Sequence, residues 1–145
     1  MHSTNEDEAR QRLRLTPYRM TIAEAMTISP HTIGSEQKLA VAHDLMRQHG
    51  VRHLPVLHGG KLVGVLSQRD LYFVEAISGV DIALDSIADA MASEVFAVAP
   101  GDCVTDVART MADHKYGCAV VVDRGHVVGI FTSTDAFALL AQATS

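Results

Sequence analysis

The sequence predicts an α/β fold built from two pseudo-symmetric repeats, each strand, helix, strand, strand, helix, packed through their sheets. Three observations carry that prediction. First, Ile22-Ala23-Glu24-Ala25-Met26 returns as Ile87-Ala88-Asp89-Ala90-Met91, a shift of 65 positions, from 26 to 91. The same shift carries Met46 to Met111, His49 to His114, Val56 to Val121, Gly60 to Gly125, Val63-Gly64 to Val128-Gly129 and Asp70 to Asp135, with no insertion or deletion. Register of that kind marks an internal duplication. Second, apolar residues at helical spacing alternate with short, nearly continuous apolar runs, as in a sheet covered on both faces. Third, two copies are too few for a solenoid, so the halves are expected to pack face to face about a pseudo-two-fold axis.

Taken in order, residues 1–18 are polar and charged, with Glu6, Asp7 and Glu8 followed by Arg10, Arg12 and Arg14. They read as a mobile arm, with Leu13 and Leu15 as a slight edge-strand signal. The first repeat is set at 19–80 and the second at 81–145. Thr21 to Met26 reads as a short helical turn and Ile28 to Ile33 as an extended segment. A helix starting near Ser35 runs to about His49, with Leu39, Ala42 and Met46 as its buried stripe; Val104, Val107 and Met111 repeat it. His49 and His114 then stand at helix C-termini, where a polar cap facing the helix dipole explains them. Val51 to Leu57 and Leu62 to Leu66 form a hairpin through Gly59-Gly60, and Gly117 to Val122 with Val127 to Phe131 form its second copy. Helices Leu71 to Ile77 and Ala136 to Ala141 close the repeats, and Ser78 to Ser86 links them with Gly79 as the breaker.

Composition narrows the function classes. Apolar residues make up 48% of the 145, which excludes a disordered chain, and no apolar run is long enough to cross a bilayer. No charged n-region followed by an apolar h-region starts the sequence, and Cys103 and Cys118 form no CxxC, so a reduced cytoplasmic protein is expected. A net charge of −5 without a basic block, and aromatic residues at only 5% with no Trp, argue against nucleic-acid binding.

Chemistry gathers at two turns. Gly64-Val65-Leu66-Ser67-Gln68-Arg69-Asp70 and Gly129-Ile130-Phe131-Thr132-Ser133-Thr134-Asp135 each read as a strand that releases a hydroxyl residue and, three positions on, an aspartate opening a helix. Strand-end and helix-start geometry bring a hydroxyl, a carboxylate and free backbone N–H groups together, which suits a sugar and a phosphate. The plainer reading makes Asp70 and Asp135 helix N-caps.

These motifs, with Leu54-Pro55-Val56 and Ala119-Val120-Val121, resemble a tandem of CBS domains, a Bateman module, standing alone as a pair over roughly residues 20 to 141. The resemblance implies regulatory binding of AMP, ADP or ATP in clefts between the repeats; some members hold S-adenosylmethionine, NAD or cyclic dinucleotides. It implies that each pocket takes the turn of one repeat and the first two strands of the other. Pocket one then combines Thr27, His31, Val51, Arg52, His53 and Pro55 with Ile130, Thr132, Thr134 and Asp135. Pocket two combines Val65, Ser67, Arg69 and Asp70 with Phe96, Tyr116, Gly117 and Cys118. An ionised aspartate accepts from both ribose hydroxyls, the Ser or Thr hydroxyl donates to phosphate, and Arg52 and His53 offer positive charge. Pocket one is expected to bind more tightly, because Cys118, Phe96 and Tyr116 make a poor phosphate lining.

No Gly-x-Ser-x-Gly, Walker loop or HExxH is present, so neither catalysis nor a required cofactor is expected. His43, His49, His53 and His58 lack helical ligand spacing and no metal site is expected, although His31 and His53 could meet in pocket one. The alternative function is a ligand-free scaffold that dimerises and docks on a partner through the arm and the closing helices. Family resemblance implies a homodimer.

Overall fold

A computed structural model describes residues 20–77 and 79–144. The readings of the arm, Leu13 and Leu15 included, lie outside them. In chain order the elements are α1 (Ile22–Ala25), β1 (Thr27–Ile28), β2 (Ile33–Gly34), α2 (Leu39–His49), β3 (His53–His58), β4 (Lys61–Ser67), α3 (Gln68–Glu75), β5 (Ala97–Val98), α4 (Val104–His114), β6 (Cys118–Asp123), β7 (His126–Thr132) and α5 (Ser133–Thr144). A 3-10 turn, Ile87–Asp89, precedes β5. Five helices and two sheets make the fold mixed α/β, as expected.

The chain divides into two compact units. One, the Leu54 unit, holds Ser29–Val95 and Arg124–Val128; the other, the Phe131 unit, holds 20–28, 96–123 and 129–144. In the Leu54 unit the sheet order is β2-β3-β4, with β2 parallel and β4 antiparallel to β3. Its core joins Leu39, Ala42 and Met46 of α2 to Leu54, Val56 and Leu66 of the sheet, Leu71 of α3 and Ile87. The α2 stripe is therefore the one its spacing predicts. Gly50 ends the helix at φ 64°, a conformation that glycine adopts without steric cost. Gly59 and Gly60, at φ 57° and 80°, form the two-residue turn between β3 and β4 that matches the twist of paired strands.

Helix α2 begins four residues later than expected. Ser35 is buried, and its hydroxyl meets His58 Nδ1 at 3.0 Å and Glu36 at 3.1 Å instead of capping a helix. The helix's first N–H groups go to the segment between the repeats: Leu39 N–H donates to the Asp85 carbonyl at 3.0 Å and Ala40 N–H to the Ile82 carbonyl at 2.9 Å. That segment thus serves as the cap that Lys38 cannot provide.

In the Phe131 unit the sheet order is β1-β7-β6-β5, with β5 parallel to β6 and β1 antiparallel to β7. Val104, Val107 and Met111 of α4 are buried, as are Val120, Val121, Ile130 and Phe131 of the sheet. Helix α4 ends at Lys115 with φ 60°, the left-handed cap that Gly50 supplies in the first copy.

The extended segment expected over Ile28 to Ile33 is two separate strands. Ser29, at φ 50°, and Pro30 break it, so β1 joins one sheet and β2 the other. As a result β1, from the first sequence copy, pairs with β7 from the second: Thr27 opposite Ile130 and Ile28 opposite Gly129. The Leu54 unit mirrors the exchange, with Val65 and Ala92 bonded through both their backbone N–H groups at 3.0 and 2.9 Å. This exchange explains the repeated glycine and the repeated methionine. A Cβ on Gly64 would collide with the Met91 side chain and come within 2.8 Å of the Ala92 carbonyl oxygen; one on Gly129 would collide with Met26.

Candidate functional site

The turn from β7 into α5 is a closed cap. The Thr132 hydroxyl accepts from Asp135 N–H at 3.2 Å, while the Asp135 carboxylate accepts from Thr132 N–H at 2.9 Å and from the Thr132 hydroxyl at 3.1 Å. Thr132 is thus the N-cap and Asp135 its reciprocal partner three residues on, which is a capping box. The reading of Asp135 itself as N-cap is corrected: the residue that must be non-helical is the strand's last, and Thr132 occupies it. Both bonds from Thr132 converge on Asp135 Oδ2, leaving Oδ1 with one long approach, 3.4 Å, from the Thr27 hydroxyl on the neighbouring strand. The carboxylate is half-buried and oriented by three donors, with lone pairs to spare.

The turn from β4 into α3 is built differently. Ser67 is the N-cap and its hydroxyl accepts from Asp70 N–H at 3.0 Å, which corrects the N-cap reading of Asp70. Among the described residues no donor reaches the Asp70 carboxylate. The position equivalent to Thr27 is Ala92, without a hydroxyl. Arg52 and His53 stand beside this turn: Gln68 N–H donates to the Arg52 carbonyl at 2.8 Å, and His53 is in register with Ser67. Burial holds the His53 imidazole below the usual histidine range; the Asp70 charge pulls upward and Arg52 adds a smaller push down. The expected positive charge of His53 is therefore corrected to a neutral ring near pH 7, and Arg52, exposed, is the cation at this spot.

In the Phe131 unit the matching contact runs from Ser133 N–H to the Gly117 carbonyl at 3.0 Å. Thr27, Ile130, Thr132 and Asp135 are brought together there; Thr134 is exposed on the first turn of α5. Val51 and Val65 are half-buried and Arg69 exposed in the Leu54 unit. The side chains of Pro55, Ile130 and Cys118 are buried, so these three offer a site only their backbone. Burial pushes the Cys118 thiol up to about 12, and it stays protonated. Phe96 and Tyr116 pack together with ring centroids 5.5 Å apart, and His31 stacks on His49 at 3.6 Å. Among the described residues no cluster of three or more His, Cys, Asp or Glu could hold a metal ion.

A surface cleft of about 470 Å³ escaped the sequence reading. Ala40, His43, Asp44 and Arg47 of α2 line it with Glu75, Val80 and Ile82. Its polar pair, His43 and Glu75, are distant in sequence and hydrogen-bonded in the fold, which no spacing rule reveals. Among the described residues no helix is long and apolar enough to cross a membrane.

A family model described as CBS domain matches residues 22–76 and again 87–142. Inosine-5'-monophosphate dehydrogenase of Korarchaeum cryptofilum is 33% identical over 117 residues, which cover 80% of this chain and 22% of that enzyme. The chain thus spans less than a quarter of that relative. Among solved structures, the CBS domain pair of protein MJ0100, in complex with 5'-methylthioadenosine and S-adenosyl-L-methionine, superposes with a TM-score of 0.78 at 26% identity, covering 85% of this chain and 97% of the other. CBSX2 in complex with AMP superposes with a TM-score of 0.75 at 26% identity, covering 84% and 97%.

Proposed function

The chain belongs to the CBS-domain family, and on that premise we propose that it is a non-catalytic regulatory module that binds adenosine nucleotides, AMP, ADP or ATP. Its solved relatives carry AMP, S-adenosyl-L-methionine and 5'-methylthioadenosine, ligands that share an adenosine core. The observation that carries the reading is the Asp135 carboxylate: three donors orient it at a helix start, and its Oδ1 is left for the two hydroxyls of a ribose. Charge assistance makes such bonds stronger than neutral ones. Thr27, Ile130, Thr132 and Thr134 complete that ribose side. Val65, Ser67, Arg69 and Asp70 do the same at the other turn, with an unanchored acid, so the turn at Asp135 is the tighter. Preorganisation is the reason: Asp135 loses little freedom on binding.

The α3 side chains Tyr72 and Phe73 and the α5 side chains Phe137 and Leu140 are exposed. Apolar surface on closing helices marks a protein contact, and we assign to it a homodimer and the module's output. A thermal-shift screen at millimolar AMP, ADP, ATP, S-adenosylmethionine, NAD and cyclic dinucleotides tests the reading. A ligand at one hundred times its Kd adds about 2.7 kcal/mol of stability. A raised Tm with adenosine nucleotides is expected; no shift with any of these would replace the reading by a ligand-free scaffold.

A further inference from the structure

The duplication has a second consequence, in the aromatic rings. In the first copy the exposed His31 lies flat on His49, the last residue of α2, at 3.6 Å between centroids and 14° between planes. The 65-residue shift carries His31 to Phe96, His49 to His114 and Val51 to Tyr116. In the second copy His114, the last residue of α4, lies parallel to Tyr116 at 5.1 Å and 15°, and Tyr116 meets Phe96 at 5.5 Å. The ring lying on the helix-end histidine has changed between copies, from the imidazole of His31 to the phenol of Tyr116, and Phe96 joins the second group only through Tyr116, tilted by 35°. A cap for the helix dipole does not require this. His114 makes such a cap separately, through Nδ1 to the Thr110 carbonyl at 3.1 Å.

We propose that His49 and His114 are positioning residues, each holding an aromatic platform on which the base of a bound nucleotide stacks. The proposal rests on the nucleotide reading above and names the parts that would recognise the base. Exposed rings normally sample several rotamers, and a ring packed against a second ring, as His31 is on His49 and Tyr116 on His114, is already ordered before the ligand arrives. Ordering of this kind lowers the entropy lost on binding. The platforms differ: two imidazoles serve one site, and a phenyl with a phenol the other, so the two sites present unlike faces to a base. Because His49 and His114 precede caps formed by Gly50 and Lys115 backbone, truncating His49 leaves its helix end intact, and truncating His114 removes only the bond from its Nδ1 to the Thr110 carbonyl.

The test is calorimetric titration of the full chain with AMP, and separately with ATP, on wild type and on His49→Ala, His49→Phe, His114→Ala and His114→Phe. An aromatic pair contributes enough that each alanine should weaken one binding event by about three- to tenfold, with Phe restoring it to within about twofold. The melting temperatures of the free His49 variants should match wild type, and the two His114 variants, which both lose the bond to the Thr110 carbonyl, should match each other. If wild type binds AMP and neither alanine changes any event, or if Phe restores nothing, the platform proposal falls while the nucleotide reading stands. If wild type binds neither probe, the nucleotide reading falls and takes the platforms with it.

Discussion

Asp135→Ala should cost the protein twice, in two separable quantities. In the free chain the carboxylate accepts two bonds from Thr132, at 2.9 Å to the N–H and 3.1 Å to the hydroxyl, at a half-buried turn. Losing such a cap costs about 1 kcal/mol, within a range of about 0.5–2. For a domain of this size that lowers Tm by roughly 3–5 °C. Asp70→Ala removes a carboxylate that no described donor reaches, so only its favourable place at a helix start is lost, about 0.3–1 kcal/mol. Nucleotide affinity separates the variants further. Loss of charge-assisted bonds to a ribose should weaken AMP binding to Asp135→Ala by about 1.5–3 kcal/mol, roughly ten- to 150-fold, and to Asp70→Ala by less. Asp135→Asn keeps an acceptor for Thr132 without the charge; it should recover most of the Tm and little of the affinity. Differential scanning calorimetry and AMP titration on the three variants would check this. An Asp135→Ala protein that binds AMP as tightly as wild type, or an Asn variant that loses Tm and affinity together, would refute the reasoning.

His53 gives the fold a pH dependence with a definite sign. Because burial lowers its folded value, the unfolded chain protonates first; the stability it contributes is intact above about pH 6.5 and is lost as pH falls from there toward the folded value. Urea unfolding at pH 7.5 and 5.5 should show a larger loss for wild type than for His53→Gln, and equal losses would contradict the assignment. Gly64→Ala forces a Cβ to within 2.8 Å of the Ala92 carbonyl, whereas on Gly129 the nearest backbone atom is the Thr27 carbonyl at 3.1 Å. Gly64→Ala should therefore destabilise by about 1–3 kcal/mol and Gly129→Ala by less, and guanidinium midpoints in the opposite order would count against the packing described. Lys115→Gly places glycine at φ 60° and should stabilise by about 0.5–1 kcal/mol; a lowered Tm would show that Lys115 has another role.

Much of this architecture was legible in the residues because it depends on local periodicity. Leu39, Ala42 and Met46 share a helix face by spacing alone, and Gly59-Gly60 between apolar runs specifies a hairpin in almost any context. What escaped depends on contacts between distant segments. The late start of α2 reflects carbonyls at Ile82 and Asp85, which no helix-capping rule anticipates because they belong to the segment joining the copies. The repeated glycine reads as part of a strand, with no local reason for it; its reason is a methionine from the other copy lying across the strand. The plainer reading of Asp70 and Asp135 as N-caps failed because capping is decided by which residue leaves the strand last, and that is Ser67 or Thr132. His53 read as a cation because burial cannot be judged from a single position in a strand.

The central claim is that a carboxylate at each strand-to-helix turn grips a ribose diol, and the most direct measurement removes half of that diol. Titration of wild type with AMP and with 2'-deoxy-AMP should show the deoxy compound binding at least about tenfold more weakly, the worth of one hydrogen bond to a charged group. Equal affinity for the two would mean that Asp135 and Asp70 do not hold the sugar, and the account of this site would be wrong.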